Sequence, residues 1–508
     1  MNAVLSANVF FRIAGFSVFQ ALLSTFTALS IGLPAAFFCG RRKFFLKNFL
    51  LSLSSVPFCI PSLLVALGYV SFFGMNGTLN SFLMFIFGKD KPPVTFLYSF
   101  LGIIICHGFY NFPLVMSTVS SAWERLPRAE SDAAMLLGAG NFKIFRSITI
   151  FQLLPSIISA CIPVFLYCFF SFMIVLLFGS VGTTTLEVEI YQQAKVNLNF
   201  GAALKLGFLE TTIALFLVTI YTFIEQKSKG LKGIFFNGES LEKTKICGFE
   251  KIFAFILFFL IFLFFICPLF SIFYNGLSSK RLDSNFTFYN FIHLFSSQSF
   301  WNAFLWTFIT ALLSGFFCAA IAFFYAAVLK IFDPTGRFFI FRIIPIAPMA
   351  ISSVVVGVLI TILVRKGNFL ILVLTQSLLN WPVAFRQIYA ELEKLPQTTV
   401  EASSILSRSP FDTVFRIFIP VSRRSFFRAT AFCFALSAGD ATLPLVLAIP
   451  RFNTLALYTY RLAGRYKFNE ACASGVILGI LCAVIFSLGK LASGRKLKKQ
   501  EGSENGIF

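Results

Sequence analysis

Long apolar runs recur along the whole chain, and each is long enough to cross a lipid bilayer. A transmembrane helix needs about 20 predominantly apolar residues, and about eleven such runs are present. A soluble domain holds about 25% charged residues, whereas this sequence of 508 residues is 12% charged and 57% hydrophobic. We therefore predict an all-α polytopic membrane protein. The predicted spans are residues 12–38, 49–73, 95–118, 152–178, 202–224, 251–275, 301–330, 338–364, 368–389, 426–449 and 469–490.

The first and ninth spans depart from the simplest pattern. The first is longer than a secretory signal, and no small-residue cleavage site precedes a soluble domain, so we interpret it as a membrane helix. The ninth is the weakest prediction of the eleven, because Gln376 and Asn380 interrupt its apolar run.

Basic residues concentrate in alternate connections between the spans. The chain holds 42 Lys and Arg residues, and 29 of them fall in six segments that would share one side of the membrane. By the positive-inside rule that side is cytoplasmic, which places the N-terminus outside and the C-terminus inside. This topology accounts for the net charge of +21, so no nucleic-acid partner is predicted. The six segments are residues 39–48, 119–151, 225–251, 330–342, 386–428 and 490–508.

The sequence also repeats itself across its midpoint. YNFPLVMSTVSSAWERLPRAESDAA, from Tyr110, aligns without a gap with LNWPVAFRQIYAELEKLPQTTVEAS, from Leu379. One offset of 269 residues relates the two copies, so that Asn111 matches Asn380. Both copies face the predicted cytoplasm, which indicates a parallel repeat with its axis along the membrane normal. We predict that the halves are residues 1–235 and 236–508.

Each copy contains an unusual segment after a Leu-Pro pair in its predicted cytoplasmic loop. In the first copy it reads DAAMLLGAGNFKIFRSI, residues 132–148. An acid and two small residues begin a short helix, a glycine or serine six residues after the acid permits a close turn, and an amphipathic piece follows. In the second copy Thr398 and Glu401 have the spacing of a capping box. A small-faced helix pair of this kind suits insertion into a groove on a cytoplasmic partner, although an ordinary cytoplasmic hairpin has the same pattern.

The two segments resemble the E-A-A-x3-G-x9-I-x-L-P loop of ABC-importer permeases. In that family these loops are coupling helices that dock on the ATP-hydrolysing subunits. The resemblance therefore implies a type I ABC importer permease with coupling loops near residues 120–150 and 388–420. Departures from the pattern are Asp for Glu in the first copy, Ser for Gly in the second, and Phe151 in place of the proline. The implied coupling residues are Asp132, Ala133, Ala134, Gly138 and Ile148, and Glu401, Ala402, Ser403, Ser407, Ile417 and Pro420.

Two longer stretches narrow the resemblance to the fused, two-repeat permeases of thiamine importers, to which ferric-iron permeases are related. They are SVGTTTLEVEIYQQAKVNLNFGAALKLGFLE, residues 180–210, and RFNTLALYTYRLAGRYKFNEACASGVIL, residues 451–478. The resemblance implies a multi-pass subunit of the bacterial cytoplasmic (inner) membrane that moves thiamine or its phosphate esters from a periplasmic binding protein to the cytoplasm. Its implied partners are the bilayer, that binding protein and two copies of an ABC ATPase subunit, which uses ATP and Mg. Ferric iron is the alternative substrate.

The sequence lacks the motifs of a nucleotide-hydrolysing or catalytic chain. A P-loop needs G-x4-G-K-[ST], which does not occur here, so we predict a transport subunit without its own ATPase site or cofactor. His107 and His293 are far apart in the sequence, and no metal site or catalytic relay is predicted from them. An ion-coupled secondary transporter is the less favoured alternative, because the twin loops and the few acidic residues in the spans argue against it. A membrane enzyme would need a clustered catalytic constellation.

Two acidic residues lie deep inside predicted spans. Glu210 is about ten residues into the fifth span, and Asp440 is about fourteen residues into the tenth. A charge at such depth is costly and usually faces a cavity or a partner. We therefore predict that both acids are candidates for lining the translocation path of a cationic solute, with pairing to a nearby base such as Lys205 as the alternative. Glu187 and Glu189, in the outer loop after the fourth span, are interpreted as part of a solvated or gating face rather than as contacts to the ligand.

Overall fold

The computed structural model is a chain of helices that forms two compact units. Unit 1 lies within residues 1–57 and 64–274, and unit 2 within residues 58–63 and 275–508. The start of the predicted second half at residue 236 and the basic tail beyond residue 494 lie outside the described residues. The structure describes residues 7–54, 60–127, 129–179, 184–235, 244–246, 248–278, 287–333, 339–364, 367–407 and 409–494.

Helices account for nearly all of the regular structure of unit 1. A 3-10 turn (Phe96–Tyr98) and three π-helical turns (Phe145–Thr149, Gln192–Val196 and Phe262–Ile266) connect or extend them. The α-helices are α1 (Ala7–Arg41), α2 (Lys47–Leu53), α3 (Ser62–Phe73), α4 (Thr78–Phe87), α5 (Phe100–Trp123), α6 (Ala129–Leu136), α7 (Asn141–Ile144), α8 (Ile150–Phe169), α9 (Met173–Phe178), α10 (Leu186–Tyr191), α11 (Phe200–Phe235), α12 (Glu250–Ile261) and α13 (Cys267–Leu277).

Unit 2 has a similar succession of helices. It includes a 3-10 turn (Ala347–Ala350) and a π-helical turn (Val414–Phe418). The α-helices are α14 (Tyr289–Phe295), α15 (Gln298–Phe332), α16 (Phe339–Ile343), α17 (Ser353–Val364), α18 (Phe369–Leu392), α19 (Gln397–Leu406), α20 (Pro410–Thr413), α21 (Ile419–Gly439), α22 (Thr442–Leu447), α23 (Leu455–Gly464) and α24 (Phe468–Gly494).

Nine helical stretches within the described ranges are long and apolar enough to cross a membrane. They overlap nine of the eleven predicted spans, including the ninth, so the polytopic all-α fold is confirmed. The second predicted span is displaced toward the C-terminus, because a short α2 precedes a helical stretch that starts at Ser62. The nine stretches are Val9–Arg41, Ser62–Phe87, Phe100–Trp123, Asn141–Phe169, Phe200–Ile224, Glu250–Leu277, Gln298–Phe332, Phe369–Leu392 and Phe468–Leu491.

The eighth and tenth predicted spans have a different structure from the other nine. The eighth is divided into the five-residue α16, a 3-10 turn and the 12-residue apolar helix α17, because Pro345 and Pro348 interrupt the segment before α17. The tenth coincides with α21 and α22. The first turns of α21 carry Arg423, Arg424 and Arg428, so this helix is less apolar than the other long helices.

The offset of 269 residues relates the helices as well as the sequence. It superimposes the limits of α5 on those of α18 and the limits of α9 on those of α22. It also relates the π-helical turn Phe145–Thr149 to Val414–Phe418. The repeat therefore extends in the structure well beyond the 25-residue stretches from Tyr110 and Leu379 that reveal it in the sequence.

One buried hydrogen bond occurs at equivalent places in the two units. In unit 1 the backbone N–H of Leu186 donates to Ser17 Oγ over 2.8 Å. In unit 2 the backbone N–H of Leu455 donates to Thr307 Oγ1 over 2.6 Å. Each bond satisfies a backbone donor at the start of a short helix. The hydroxyl comes from a long helix, α1 in unit 1 and α15 in unit 2. Each unit therefore contains an equivalent tertiary contact, in addition to equivalent helix limits.

Glycine allows the long helices of each unit to pack closely. A Cβ atom built on Gly32 of α1 would lie 2.7 Å from Cβ of Val115 on α5. One built on Gly315 of α15 would lie 2.7 Å from the carbonyl oxygen of Thr430 on α21. Both separations are shorter than a normal contact, so a larger residue at either position would push two membrane helices apart.

The phenylalanine-rich stretch Glu250–Leu277 packs within unit 1, although it lies in the predicted second half. Phe264 stacks on Phe73 and Phe109, with ring centroids 5.2 and 4.9 Å apart. Tyr69 donates a hydrogen bond to the carbonyl oxygen of Phe264. The compact units thus divide at a different place from residue 235, and the sequence boundary between the repeats stays a prediction.

Among the described residues, a minimal β-ladder is the exception to the all-α fold. Strand β1 (Arg42–Lys43) pairs in parallel with β2 (Thr244–Lys245). Beside it, Arg42 Nε donates to Glu250 Oε2 over 2.8 Å. This ion pair ties the end of α1 to the start of α12 within unit 1.

Candidate functional site

The first loop segment, residues 129–149, turns at Gly138. This glycine has a φ of +78°. The N–H of Ala139 donates to the carbonyl oxygen of Ala134, and the N–H of Gly138 to that of Met135, each over 2.9 Å. These two bonds are the pattern of a Schellman motif, in which the left-handed residue is usually glycine because a side chain there is strained.

The second loop segment, residues 397–418, begins with α19 immediately after Pro396. The capping-box prediction is wrong: Pro396 occupies the N-cap position and no side chain caps the helix. Thr398 lies inside the first turn rather than at the cap, so its hydroxyl is not placed to accept from the residue that the motif requires. The helix starts two residues earlier than the motif predicts because proline fixes a backbone angle suited to a helix entry.

In the second loop segment the counterpart of Gly138 is not left-handed. Ser407 has an extended backbone, with φ of −89° and ψ of 145°. Ser403 is buried, and its hydroxyl donates to the carbonyl oxygen of Val400 over 2.7 Å. Thr413 Oγ1 donates to Ser407 Oγ over 3.3 Å and so links the two helices of the segment. Serine replaces the glycine of the first copy because this turn has a different backbone path.

The other predicted coupling residues occupy similar positions in the two segments. The acids Asp132 and Glu401 and the alanines Ala133 and Ala402 are exposed, and Ala134 is half-buried. Beyond the turn, Ile148 and Ile417 are half-buried, and Pro420 is exposed at the start of α21. The residues of each copy are therefore gathered on one short hairpin.

Each loop segment also presents three large apolar side chains that are almost fully exposed. Apolar face 1 comprises Leu136, Leu137 and Phe142, which are 90%, 89% and 77% exposed. Apolar face 2 comprises Ile405, Leu406 and Phe411, which are 82%, 86% and 71% exposed and lie at the same offset of 269 residues. Exposed apolar patches of this kind mark contact with a partner or a membrane.

An ion pair stands at the entrance to each loop segment. Glu124, which follows α5, accepts from Lys47 Nζ over 2.9 Å. Its repeat counterpart Glu393, which follows α18, lies 4.0 Å from Arg342 Nη1. Both pairs are partly exposed, so each contributes at most about 1 kcal/mol to stability. Their equivalent positions suggest that they orient the loop segments.

A buried polar cluster lies in unit 1 where α8 ends and α9 begins. His107 of α5 is 2.7 Å from Ser171 Oγ, in the break between α8 and α9. On its other side, Gln20 Nε2 donates to His107 Nδ1 over 2.8 Å and Ser24 Oγ lies 3.4 Å away. Because Nδ1 accepts from Gln20, the ring proton is on Nε2 and is donated to Ser171. One helical turn along α5, Asn111 donates to Cys168 Sγ.

Unit 2 has a matching cluster where α21 ends and α22 begins. Gln376 of α18 donates from Nε2 to Asp440 Oδ2 over 3.3 Å and accepts at Oε1 from Ser314 over 3.2 Å. One turn along α18, Asn380 lies 3.5 Å from Ser437 Oγ. The offset of 269 residues maps His107, Asn111, Cys168 and Ser171 onto Gln376, Asn380, Ser437 and Asp440.

The two candidate path acids have different surroundings. Glu210 is fully buried in α11, whereas Lys205 on the same helix is exposed, so the two face different directions. Asp440 is half-buried, and its Oδ1 accepts from the backbone N–H groups of Thr442 and Leu443 over 2.9 and 3.2 Å. Glu187 is only 1% exposed, so the interpretation of a solvated face at this residue is wrong. It lies on α10, which packs against α11.

Residues 32–230 match the family model of the binding-protein-dependent transport system inner membrane component. The thiamine transport system permease protein ThiP of Brucella abortus is 27% identical over 96% of this chain and 88% of its own length. ThiP of Escherichia coli is 24% identical over 98% of this chain and 91% of its own. The chain is a permease subunit of a binding-protein-dependent ABC importer. Among solved structures, a chain of a bacterial ABC transporter involved in the import of the acidic polysaccharide alginate aligns with 49% of this chain and 96% of its own, at 16% identity and a TM-score of 0.39.

Both loop segments lie in parts of the chain that match permeases. The family model covers the first loop segment, and the full-length relatives also cover the second. Sequence reasoning missed the two polar clusters, although the same offset applied to His107 and Gln376 would have paired them. It also missed apolar faces 1 and 2, because leucine and phenylalanine are common throughout this permease.

The permease also has a cationic cavity in unit 2, on the side predicted to be outside. Its volume is about 320 Å³. Lys467 and His293 both lie beside Glu470, at 3.2 and 3.7 Å, and Arg461 donates to Asn453. Two further basic groups, Arg461 and Arg465, make the lining basic overall, so it does not favour a cationic solute.

Proposed function

We propose that this permease imports thiamine or a phosphate ester of thiamine. The observation that carries the proposal is the similarity to thiamine permeases along almost the entire chain, at 24–27% identity over 93–98% of its length. A transporter that shared only the fold would match mainly in the loop segments. Within the importer, this chain supplies the membrane path and no ATPase site of its own.

The permease works with an extracytoplasmic binding protein, which delivers the solute, and with two copies of an ATPase subunit, which binds ATP and Mg. Apolar faces 1 and 2 dock on the ATPase subunits together with the small and acidic residues of the loop segments. Their exposure and their equivalent positions support this role, since a symmetric pair of sites suits two copies of one partner. Closure of the ATPase pair then moves the loop segments and switches the access of the path.

Glu210 and Asp440 place negative charge along the path in this proposal. Glu210 lies within α11 and Asp440 lies at the break between α21 and α22, and a carboxylate deep in a membrane segment usually faces a cavity or a partner. A cation that leaves water gains from such a charge, while widely spaced acids avoid trapping it. Asp440 has its carboxylate held in place by backbone and amide donors, so it acts from a fixed position.

Uptake of labelled thiamine tests the substrate. A bacterial strain without its own thiamine importer should take up thiamine at least about tenfold faster when it expresses the permease with its ATPase and binding protein, because facilitated import far exceeds leakage of a cation across lipid. The control complex carries an ATPase subunit that cannot hydrolyse ATP. Uptake of ferric iron without uptake of thiamine would mean that ferric iron, and not thiamine, is the substrate.

Cysteine labelling tests the proposed topology, with the N-terminus outside and the C-terminus inside. Phe45 and Tyr466 are 98% and 97% exposed and lie on opposite predicted sides. Tyr466→Cys should react with a membrane-impermeant maleimide in intact cells, and Phe45→Cys only after permeabilisation. The unmodified permease is the control for labelling of its own cysteines, since Cys161 and Cys267 are only partly buried. Labelling of Phe45→Cys in intact cells would reverse the topology.

A further inference from the structure

The two polar clusters lie at the same structural position relative to the loop segments. In each unit, one long helix leads into the loop segment and another leads out of it: α5 and α8 in unit 1, α18 and α21 in unit 2. His107 and Gln376 are each 16 residues before the last residue of their helix, which is about 24 Å along a helix axis. The clusters therefore join the two flanking helices at a distance from the loop segment.

Both clusters lie where the outgoing helix is interrupted. Ser171 lies between α8 and the six-residue helix α9, and Asp440 lies between α21 and the six-residue helix α22. A break in a membrane helix frees backbone groups, which must find other partners. Asp440 Oδ1 is the partner of two of these groups, because it accepts from the backbone N–H groups of Thr442 and Leu443. The same residue is bound to α18 through Gln376.

The chemistry of the two links differs while their placement is conserved between the units. A histidine–serine pair connects α5 to the break in unit 1, and a glutamine–aspartate pair connects α18 to the break in unit 2. Ser24 and Ser314, from the long helix that opens each unit, contact the central residue in both cases. His107, Gln376, Ser24 and Ser314 are at most 1% exposed, Ser171 is 8% exposed and Asp440 is half-buried. A polar group buried in a membrane helix is costly unless it is hydrogen-bonded. Such groups therefore usually have a role in packing or function.

We propose that His107–Ser171 and Gln376–Asp440 are equivalent positioning links, which make each pair of flanking helices move as one body with its loop segment and set the orientation of α9 and α22. Movement of a loop segment on its ATPase partner is thereby transmitted to the interrupted part of the outgoing helix. Without the link, the loop segment still docks, but the short helix beyond the break no longer follows it. The links are positioning residues and need not contact the solute.

Alanine and conservative variants of the central residues test this inference in the reconstituted complex of permease, ATPase subunits and binding protein. His107→Ala and Asp440→Ala should each lower the stimulation of ATP hydrolysis by the binding protein, and the thiamine imported per ATP, by about fivefold or more, the usual range of a coupling energy. His107→Gln should retain both values within about twofold, because its amide can accept from Gln20 and donate to Ser171 as the imidazole does.

Matched controls separate this role from a general loss of packing. Ser71→Ala in unit 1 and Ser474→Ala in unit 2 each remove a buried interhelical hydrogen bond, to Ser271 (2.9 Å) and Thr459 (2.8 Å), away from the breaks. These variants should keep the stimulation of hydrolysis. Equal losses in the control variants and in His107→Ala and Asp440→Ala would overturn the inference, as would normal stimulation in both of the latter.

The inference rests on the proposed transport function, but the two can fail separately. If the unmodified complex does not import thiamine, the proposed substrate fails, while stimulation of hydrolysis by the binding protein still reports the links. If His107→Gln and His107→Ala lose stimulation to the same extent, the hydrogen-bonded link is not what matters, and the inference is overturned.

Discussion

A charge placed on apolar face 1 or 2 is expected to abolish most transport while the permease still inserts in the membrane. Leu137 and Leu406 are equivalent residues of the two faces, and both are nearly fully exposed within their units. Leu137→Asp and Leu406→Asp therefore cost little folding free energy. In a docked complex, however, each would bury an unpaired carboxylate, which costs about 2–5 kcal/mol. Binding of the ATPase subunit should weaken by about 30-fold or more, since 1.4 kcal/mol corresponds to a factor of ten.

Co-purification of the ATPase subunits and solute uptake measure this effect together. Each single variant should reduce uptake by at least about tenfold, and the double variant should release the ATPase from the membrane fraction. Phe45→Asp is the matched control, because Phe45 is equally exposed, lies on the same predicted side and is outside the loop segments. Normal uptake in the double variant would mean that the apolar faces are not part of the docking surface.

Unequal losses in the single variants would be informative as well. The two loop segments differ in their turns, since Gly138 is left-handed and Ser407 is extended. A larger effect of Leu137→Asp than of Leu406→Asp would mean that the halves contribute unequally to docking. Equal effects would mean that the different turns present equivalent faces.

The sequence predicts the parts of this fold that depend on hydropathy and repetition. Apolar runs identify the membrane helices because the hydrocarbon core imposes a minimum length. The gapless match beginning at Tyr110 and Leu379 reveals the repeat, and the structure extends it to helix limits over most of each half. Both are global constraints that many residues satisfy together, so single departures do not hide them.

The errors occur where one or two residues decide the local backbone. Pro396 moves the start of α19 two residues earlier and removes the predicted capping box. Pro345 and Pro348 shorten the eighth span. Glu187 is buried rather than solvated, because its short helix packs within unit 1 instead of remaining an outer loop. Tertiary packing determines each of these outcomes, and no local pattern contains it.

The polar clusters could have been predicted in part. Gln376 and Asn380 weaken the ninth span as an apolar run, but they are one helical turn apart and match His107 and Asn111 at the offset of the repeat. Polar residues at that spacing indicate one face of a helix that contacts another helix. Their partners at the helix breaks, Ser171 and Asp440, could not be found this way, because the breaks contain no proline or glycine pair common to both halves.

Neutralising Glu210 is expected to slow the import of a cationic solute by about 30-fold, because an ion at about 8 Å in a medium of effective dielectric constant near 20 gains about 2 kcal/mol from one carboxylate. Glu210 is fully buried in α11, and Glu210→Gln keeps the shape of the side chain while it removes the charge. Uptake of thiamine should fall, whereas association with the ATPase subunits should not change. The effect should appear mainly as a higher KM if the charge attracts the solute into the path.

Glu189→Gln is the matched control, since Glu189 lies on the neighbouring helix α10, is only half-buried and accepts a hydrogen bond from Gln193 over 2.7 Å. It should leave thiamine uptake unchanged. A second measurement compares thiamine with an uncharged analogue of similar size, for which Glu210→Gln should have no effect because no cation needs the carboxylate. Equal slowing of both solutes would mean that Glu210 stabilises the packing of α11 against its neighbours, and the negative charge on the path would then have to come from Asp440 alone.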